Sequence, residues 1–344
     1  MRAERFRHLL DTPGPFVTLY FDDSHDTADA AAQLDARLRD IRKRLEDESV
    51  DAAVIAAIDS AVRAKHPPVG RSGRCVIAAG PTVVLDEHLI RPRAATELRV
   101  SPLPYLLPVV EHGMLHTSHL LVAVDHTGAD ISLHDGVSRT ETVKGSGYPV
   151  HKAHKADTAG YGGPQGRVDE AVRKNLREVA DRVTHLVDET GAGIVFVTGD
   201  ARAELMTELP ERVAAKAVAL QGGGRAAGTD EAELHHEIGQ QYLKLRQDAI
   251  DDAAARFAAG LGTGLAVEGL PNVTAALRDG SVDTLIIGDV GDAVVDDEGG
   301  ARRADEALPM LAVATRASLV RTGERITPAD GIAAVLRYAD PNVG

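Results

Sequence analysis

The chain has 344 residues, enough for two or three domains of ordinary size, and its 44% apolar and 26% charged residues are typical of a folded protein. Aromatic residues contribute only 3%, without tryptophan, so a base-stacking platform for single-stranded nucleic acid is hard to assemble. The net charge of −14 argues against a general nucleic-acid binder and against DNA as a partner.

Cysteine content and hydropathy indicate the compartment. Cys75 is the only cysteine, which excludes an intramolecular disulfide framework. Residues 1–8 contain no apolar stretch that could serve as a signal peptide, and no segment approaches the ~20 apolar residues of a membrane span. We therefore expect a cytoplasmic protein without a membrane partner.

Residues 1–113 predict a first α/β domain. A β-rich run covers residues 16–21, and apolar residues then recur at spacings of three and four through a helix that ends near Glu48. Further expected elements are a second helix and two strands, over residues 50–64, 75–80 and 83–85.

Residues 114–224 predict a second α/β domain, which opens with a hairpin over residues 118–134. A polar loop follows from Gly145 to Gly166 and holds eight glycines and prolines. Loops of this length inside a compact domain are usually functional or disordered. Beyond the loop we expect a helix, a buried strand and a second helix, over residues 167–187, 193–197 and 203–220.

Residues 225–344 predict a third α/β domain. The expected elements, in order, are a helix over 231–259, a helix over 273–278, a strand over 284–288, an acidic loop over 292–306, a helix over 308–314, a strand over 318–321 and a final helix over 332–337. The alternation of helices and strands therefore predicts three consecutive α/β domains.

The segment from Lys144 to Arg177 departs from the acidic balance of the chain. It holds seven basic and three acidic residues, a net charge of +4. A local basic segment on an acidic protein suits a partner whose RNA is reached at one place. The alternative interpretation is an ordinary solvated loop and helix face.

Five stretches in collinear order resemble the archaeo-eukaryotic class-one peptide release factor and its relative Pelota. They are residues 17–20 with the long helix after them, 74–80, 121–128, 220–224 with the following helix, and 264–287. The resemblance implies three α/β domains arranged as in that family. It places the first domain at the ribosomal decoding centre, the middle loop near the peptidyl-transferase centre and the third domain toward the factor-binding side.

Hydrolytic members of this family carry Gly-Gly-Gln just before a long basic helix. Here the corresponding stretch is Tyr161-Gly162-Gly163-Pro164-Gln165. Proline fixes its own φ and biases the residue before it toward extended conformations, and it shifts the glutamine by one position. We therefore expect a protein without catalytic residues. The alternative is a ribosome rescue factor or peptidyl-tRNA hydrolase that uses Gly162-Gly163-Pro164-Gln165.

The resemblance extends to a bacterial branch of the family that includes ribosome hibernation factors. It implies a protein that occupies the A site of idle ribosomes without hydrolysing peptidyl-tRNA, with elongation factor Tu or another translational GTPase as a further partner. A third interpretation is a splitting factor of the Pelota kind, which would need a partner ATPase or GTPase.

Structured RNA is recognised mainly through its backbone, its shape and its 2′-hydroxyl groups. We therefore expect contacts with the rRNA of both subunits from polar and basic residues of the first two domains. In the middle domain these are Lys144, His151, Lys152, His154, Lys155, Tyr161, Gly162, Gly163, Gln165, Arg167, Arg173 and Lys174. In the first domain they are Arg42, Lys43, Arg44, Arg71 and Arg74.

Two weaker sequence patterns, a histidine spacing and a glycine-rich stretch, resemble ligand sites, but we expect neither to bind a ligand. His112, His116 and His119 have a spacing that invites zinc, but His119 begins a predicted strand, where helical spacing no longer brings side chains together. The glycines of residues 260–264 lack the strand–turn–helix order of a dinucleotide site. We expect neither a metal nor a cofactor.

Overall fold

The computed structural model describes residues 3–65, 70–113, 119–134, 138–147, 164–225, 231–297, 299–323 and 325–339. The fold is mixed α/β, with three main sheets and flanking helices. The chain packs as two compact units, the first formed by Met1–Leu115 with Tyr242–Gly344 and the second by His116–Gln241. Residues from both ends of the chain therefore build the first unit.

The N-terminal part of the first unit is an antiparallel sheet covered by helices. Its strands are β1 (Phe16–Asp22), β2 (Gly73–Ala79), β3 (Thr82–Leu89) and β4 (Glu97–Ser101), in the order β3-β2-β1-β4. Its helices are α1 (Ala30–Asp47), α2 (Ala52–Ala64) and α3 (Leu107–His112), and a 3-10 helix spans Ala3–Leu9. The predicted stripe of α1 is confirmed, because Leu38, Ile41 and Leu45 are buried against the sheet and α2.

The second unit contains a five-stranded mixed sheet. Its strands are β5 (His119–Asp125), β6 (Gly128–His134), β7 (Ser138–Lys144), β8 (Ile194–Thr198) and β9 (Ala217–Ala219), in the order β7-β6-β5-β8-β9. Strand β6 is antiparallel to β5 and β7, whereas β8 is parallel to β5 and β9. The helices are α4 (Pro164–Thr190), α5 (Arg202–Glu208), α6 (Glu211–Ala214) and the start of α7 (Glu231–Leu261).

The C-terminal part of the first unit holds a second four-stranded sheet. In chain order its elements are β10 (Ala266–Glu268), α8 (Leu270–Arg278), β11 (Val282–Ile287), β12 (Val294–Asp297), β13 (Gly300–Arg303), α9 (Ala304–Ala314), β14 (Ser318–Arg321) and β15 (Ile332–Leu336). The sheet order is β10-β15-β11-β14, and β12 and β13 form a separate hairpin.

Three predicted elements are wrong. The predicted helix over 203–220 is α5, α6 and β9, because Pro210 lacks an N–H and interrupts the helix after an extended Leu209. The predicted acidic loop over 292–306 is the β12–β13 hairpin followed by the start of α9. The predicted final helix over 332–337 is β15, which lies between β10 and β11 with all five residues buried.

One hydrophobic core joins the two ends of the chain in the first unit. Phe6 and Leu106 belong to the same buried cluster as Val273, Leu308 and Leu319. A buried ionic contact accompanies this core. Arg99 donates from Nη1 to Asp305 Oδ2 at 2.8 Å and to Glu306 Oε1 at 3.3 Å.

The Arg99 cluster includes three further contacts. Arg99 Nη2 donates to Glu97 Oε1 at 3.2 Å. The Arg99 guanidinium lies 3.4 Å from the centroid of the Tyr105 ring, and the Ser101 hydroxyl donates to Glu306. Because Glu306 is only 2% exposed, its carboxylate depends on these partners for compensation of its charge.

Arg74 is fully buried and is a correction to the predicted RNA-contacting set. Its guanidinium makes a two-point contact with Asp86 at 2.8 Å for both bonds, and it lies 3.4 Å from Asp23. Its Nη atoms also donate to the carbonyls of Ala61 and Val62. With 0% exposure and its donors directed inward, Arg74 stabilises the sheet–helix interface rather than presenting a charge to a partner.

Replacing Arg99 with alanine should lower the free energy of unfolding by about 2 kcal/mol, because Glu306 then keeps no cationic partner among the described side chains, while Asp305 retains Arg303. Urea denaturation followed by circular dichroism measures the change. Arg39→Ala removes the same charge from the exposed face of α1 and should cost less than about 0.5 kcal/mol. Equal midpoints for the two variants would show that the Arg99 cluster adds no stability.

His88 predicts a pH dependence of stability. Burial, with further contributions from the Arg74 and Lys65 charges, lowers the pKa of His88 from its ordinary 6.5 to about 4. As the pH falls, His88 therefore takes up a proton in the unfolded chain before it does so in the folded chain. The stability that neutral His88 contributes is fully present above pH 6.5 and is lost as the pH falls toward 4.

Between pH 7 and pH 5.5 we expect the unmodified protein to lose about 1 kcal/mol more stability than the His88→Gln variant. Urea titrations at both pH values measure the difference. The variant His236→Gln, at an exposed position, serves as a control and should lose as much stability between pH 7 and pH 5.5 as the unmodified protein does. A parallel decline of the His88→Gln variant and the unmodified protein would contradict the assignment.

Candidate functional site

One edge of the sheet in the second unit gathers several chain segments. Because β5, β7 and β8 all run in the same direction, their C-terminal ends meet at this edge. The β5–β6 turn, the chain after Lys144 and the chain after Thr198 lie here together. Open α/β sheets commonly bind their ligands outside the carboxyl ends of their strands, so this edge is the candidate site.

The stem of the predicted long loop is attached to helix α4 by a buried side chain. Asn175 is 2% exposed and accepts a hydrogen bond from the backbone N–H of Gly147 at 2.7 Å. Its Nδ2 donates to the carbonyl of His126 in the β5–β6 turn at 3.0 Å. One carboxamide thus ties together the turn, the stem and the helix.

Glycine is required where the stem crosses this helix. A Cβ on Gly145 would lie 2.2 Å from Asn175 Cγ, and one on Gly147 would lie 2.6 Å from the carbonyl oxygen of Ala171. Neither distance is compatible with a side chain, so the two glycines allow a close approach of backbone to helix. Any larger residue would displace the stem.

A second contact fixes the residue between the two glycines. Ser146 donates its N–H to Glu178 Oε2 at 2.7 Å, and its hydroxyl donates to the other carboxylate oxygen. The side-chain and backbone hydrogen bonds from Ser146 hold the pKa of Glu178 below its ordinary value. The stem therefore stays attached while Glu178 is ionised.

Sequence reasoning missed these stem residues, although one signal was present. Asn175 follows Val172 by three positions and precedes Val179 by four, so it lies on the apolar face of the helix. A polar residue on a buried helix face must find hydrogen-bond partners inside the fold. Ser146 and Glu178 carry no comparable signal, because their contact joins positions distant in sequence.

Helix α4 begins at Pro164, earlier than predicted. Residues 164–166 are thus helical rather than part of the loop, and Gln165 lies in the first turn of the helix. Proline is favoured at the first helical position, where its missing N–H costs nothing. Seven helical residues, about 10 Å of helix, precede Ala171 in α4.

The opposite side of the β5–β6 turn is held by an ionic cluster. Arg225 donates from Nη1 to both oxygens of Asp125, at 2.9 and 3.0 Å, and from Nε to Asp130 Oδ2 at 3.1 Å. Burial alone would raise the pKa of Asp125, but hydrogen bonds from Thr127 and the charge of Arg225 outweigh it and lower that pKa. The turn is therefore a rigid part of the edge.

The structure brings some of the predicted RNA-contacting residues together. Lys144, at the end of β7, and Arg173 and Lys174, on α4, are exposed at this edge, and none of the three forms an ion pair with a described side chain. Gln165 and Arg167 have their backbone in the first turn of α4. His151, Lys152, His154, Lys155, Tyr161, Gly162 and Gly163 lie outside the described residues.

The predicted residues of the first domain belong to the other compact unit. Arg42, Lys43 and Arg71 are exposed there, and Arg42 lies 3.9 Å from Asp59. Arg44 is half-buried and donates from Nη1 to the carbonyl of Thr96 at 3.2 Å.

The described side chains at the edge offer charged and hydrogen-bonding groups. The described side chains there include carboxylates, which are engaged by Ser146 and Arg225, and exposed cations. Within the described parts of the chain no group of three or more histidine, cysteine or carboxylate residues could hold a metal ion. Among the described helices none is long and apolar enough to cross a membrane.

Comparison with known proteins identifies the family. Residues 118–263 match the family model described as bacterial archaeo-eukaryotic release factor family 2, a stretch that contains the whole edge. The uncharacterized protein Rv2629 of Mycobacterium tuberculosis is 43% identical over 368 aligned positions, which cover 99% of this chain and 98% of that protein.

Two solved structures cover nearly the whole chain at low identity. An archaeal translation termination factor, aRF1, is 18% identical, with 98% of this chain and 97% of that chain covered and a TM-score of 0.24. Pelota of Archaeoglobus fulgidus is 13% identical, with 99% and 93% covered and a TM-score of 0.39. Since both TM-scores are below 0.5, the assignment rests on the family match and the mycobacterial relative: the chain belongs to the bacterial archaeo-eukaryotic release factor family 2.

Proposed function

We propose that this protein binds idle ribosomes at the A site and blocks it without hydrolysing peptidyl-tRNA, as a hibernation factor. The observation that supports this most is the family match over residues 118–263, because release factors act on the ribosome and this stretch contains the N-terminal end of α4. The three exposed cations at the edge, Lys144, Arg173 and Lys174, are suited to phosphate contacts.

The geometry of the stem supports a role in positioning. Structured RNA is bound through many weak backbone contacts, which require that the contacting groups are held in register. Asn175 and Glu178 fix the chain at Gly147, and α4 fixes it again from Pro164 onward. Both ends of the predicted loop are therefore held at defined positions, one at the stem after β7 and one at the start of α4, which suits insertion into a narrow RNA-lined space.

The non-hydrolytic assignment is supported by the position of Gln165. A water-positioning glutamine has to reach a catalytic centre from a chain that can approach it closely. Here Pro164 opens the helix and Gln165 is its second residue, so the backbone of the glutamine is committed to helical geometry. Elongation factor Tu or another translational GTPase is the further partner of this proposal.

Co-sedimentation with vacant 70S ribosomes over a salt series tests the proposal. Binding should saturate, weaken steeply with salt and be blocked by A-site tRNA. The double substitution Arg173→Gln with Lys174→Gln should lower the slope of log affinity against log salt by about two, because each cation accounts for roughly one phosphate contact.

A matched pair of substitutions controls for the change in net charge. Arg212→Gln with Lys216→Gln removes the same charge from exposed positions on and just after α6 in the same unit, away from the edge, and should leave the slope unchanged. Identical slopes for the two double variants would show that Arg173 and Lys174 of α4 do not contact ribosomal phosphates. Absence of any binding at low salt would refute the ribosomal function itself.

Gln165→Ala separates the proposed function from the alternative, a rescue factor or hydrolase. We expect the unmodified protein to release no peptide from ribosomes stalled with peptidyl-tRNA, and the variant to bind ribosomes with affinity within about twofold of it. Release of labelled peptide is the measurement, with a bacterial release factor on a stop codon as the positive control. Release by the unmodified protein that Gln165→Ala abolishes would establish the hydrolase instead.

A further inference from the structure

The first unit contains a surface cavity of about 680 Å³ between α1 and the chain that precedes β4. Its lining combines cationic side chains with an apolar wall. The residues that carry the argument are Arg44, Pro92, Arg93, Glu97, Leu98 and His112. Pockets of this size accommodate small organic ligands, up to about one nucleotide.

Several positively charged side chains lie at or near this cavity, although the chain as a whole has a net charge of −14. Arg44 and Arg93 line it, and the charges of Arg91 and Arg246 act on His112 from nearby. Two carboxylates oppose them. Glu97 lies 2.9 Å from Arg93, and Glu111 lies 3.5 Å from His112.

Each of the two lining arginines keeps donors available. Arg44 uses Nη1 for the carbonyl of Thr96 at 3.2 Å, and Arg93 uses Nη2 for Glu97. The remaining guanidinium donors of both have no partner among the described residues. The planar guanidinium fork matches the oxygen geometry of a phosphate group better than any other cationic side chain.

Backbone donors add to this arrangement. The chain bends at Ala94 and Ala95, and their N–H groups make no hydrogen bond to any described residue. Consecutive unpaired N–H groups in a bend favour an anion. Burial lowers the pKa of His112, an effect that Glu111 opposes and the three nearby arginines strengthen, so the ring itself resists adding a further cation.

We propose that this cavity binds a nucleotide, with its phosphate between Arg44 and Arg93 and its nucleoside against Pro92 and Leu98. The apolar wall favours a nucleotide over an inorganic anion, since a bare phosphate would leave that surface exposed to water. The nucleotide comes either free, as a phosphate monoester, or as one unit of an RNA strand, as a phosphate diester, and both present anionic phosphate oxygens to the arginines. The site does not depend on ribosome binding.

Titration of the full-length protein with adenosine 5′-monophosphate, followed by ³¹P NMR, tests the site. Arg44→Gln should weaken binding about tenfold, because one charge-assisted contact to the phosphate is lost. Glu97→Gln should strengthen binding several-fold, because a carboxylate is removed beside the anion. Arg39→Gln, on the same helix but outside the cavity, is the matched control and should bind as the unmodified protein does.

A five-residue uridine oligonucleotide, titrated in parallel, distinguishes the two sources. Tighter binding of the oligonucleotide than of the mononucleotide assigns the site to an RNA strand, and the reverse order assigns it to a free nucleotide. Either result supports the proposal if Arg44→Gln weakens both.

Failure to bind either probe at millimolar concentration would overturn the proposal. Equal affinity of the Arg44→Gln and Arg39→Gln variants would overturn it as well. Because Glu97→Gln is expected to gain affinity, a folding defect cannot produce its predicted result. Ribosome co-sedimentation of the Arg44→Gln variant is measured separately. Loss of nucleotide binding in the cavity can then be distinguished from loss of ribosome binding.

Discussion

The carboxamide of Asn175 is the interaction on which the candidate edge depends. It is buried, and it satisfies one donor and one acceptor from two segments that are distant in sequence, the β5–β6 turn and the stem after β7. An apolar replacement would remove both hydrogen bonds and leave the partly buried N–H of Gly147 and carbonyl of His126 without this partner. The edge is therefore an assembly in which the turn, stem and helix are positioned together.

Arginine side chains have two distinct roles in this molecule: Arg74 is buried and paired inside the fold, whereas Arg173 is exposed and presents its charge at the surface. The sequence distinguishes these two roles only in part. Arg74 interrupts β2, whose other residues are apolar on both faces, so it lies in a strand buried on two sides. A charge in such a strand has to be paired inside the fold. The sequence context thus offered a reason to remove Arg74 from the RNA-contacting set, but its partners Asp23 and Asp86 could not be identified without the register.

Long periodic elements were predictable, whereas short apolar runs were not. Helices α1, α2 and α4 and the β5–β6 hairpin were confirmed within a few residues, because each repeats its pattern over several turns or follows a strong turn signal. The five buried residues of β15 satisfy a helix and a strand equally well, and only pairing with β10 and β11 decides between them. The long helix of the edge was predicted from its apolar periodicity, while the internal supports of the edge depend on non-local contacts.

The discontinuity of the first unit has a consequence for biosynthesis. The sheet formed by β1–β4 shares its core with residues that emerge from the ribosome roughly 200 positions later, such as Val282 and Leu319. The second unit is continuous in sequence and can close its own core first. Until translation is nearly finished, Phe6 and Leu106 therefore lack part of their apolar surroundings, and a chain truncated before residue 266 would expose that surface to chaperones, proteases or aggregation.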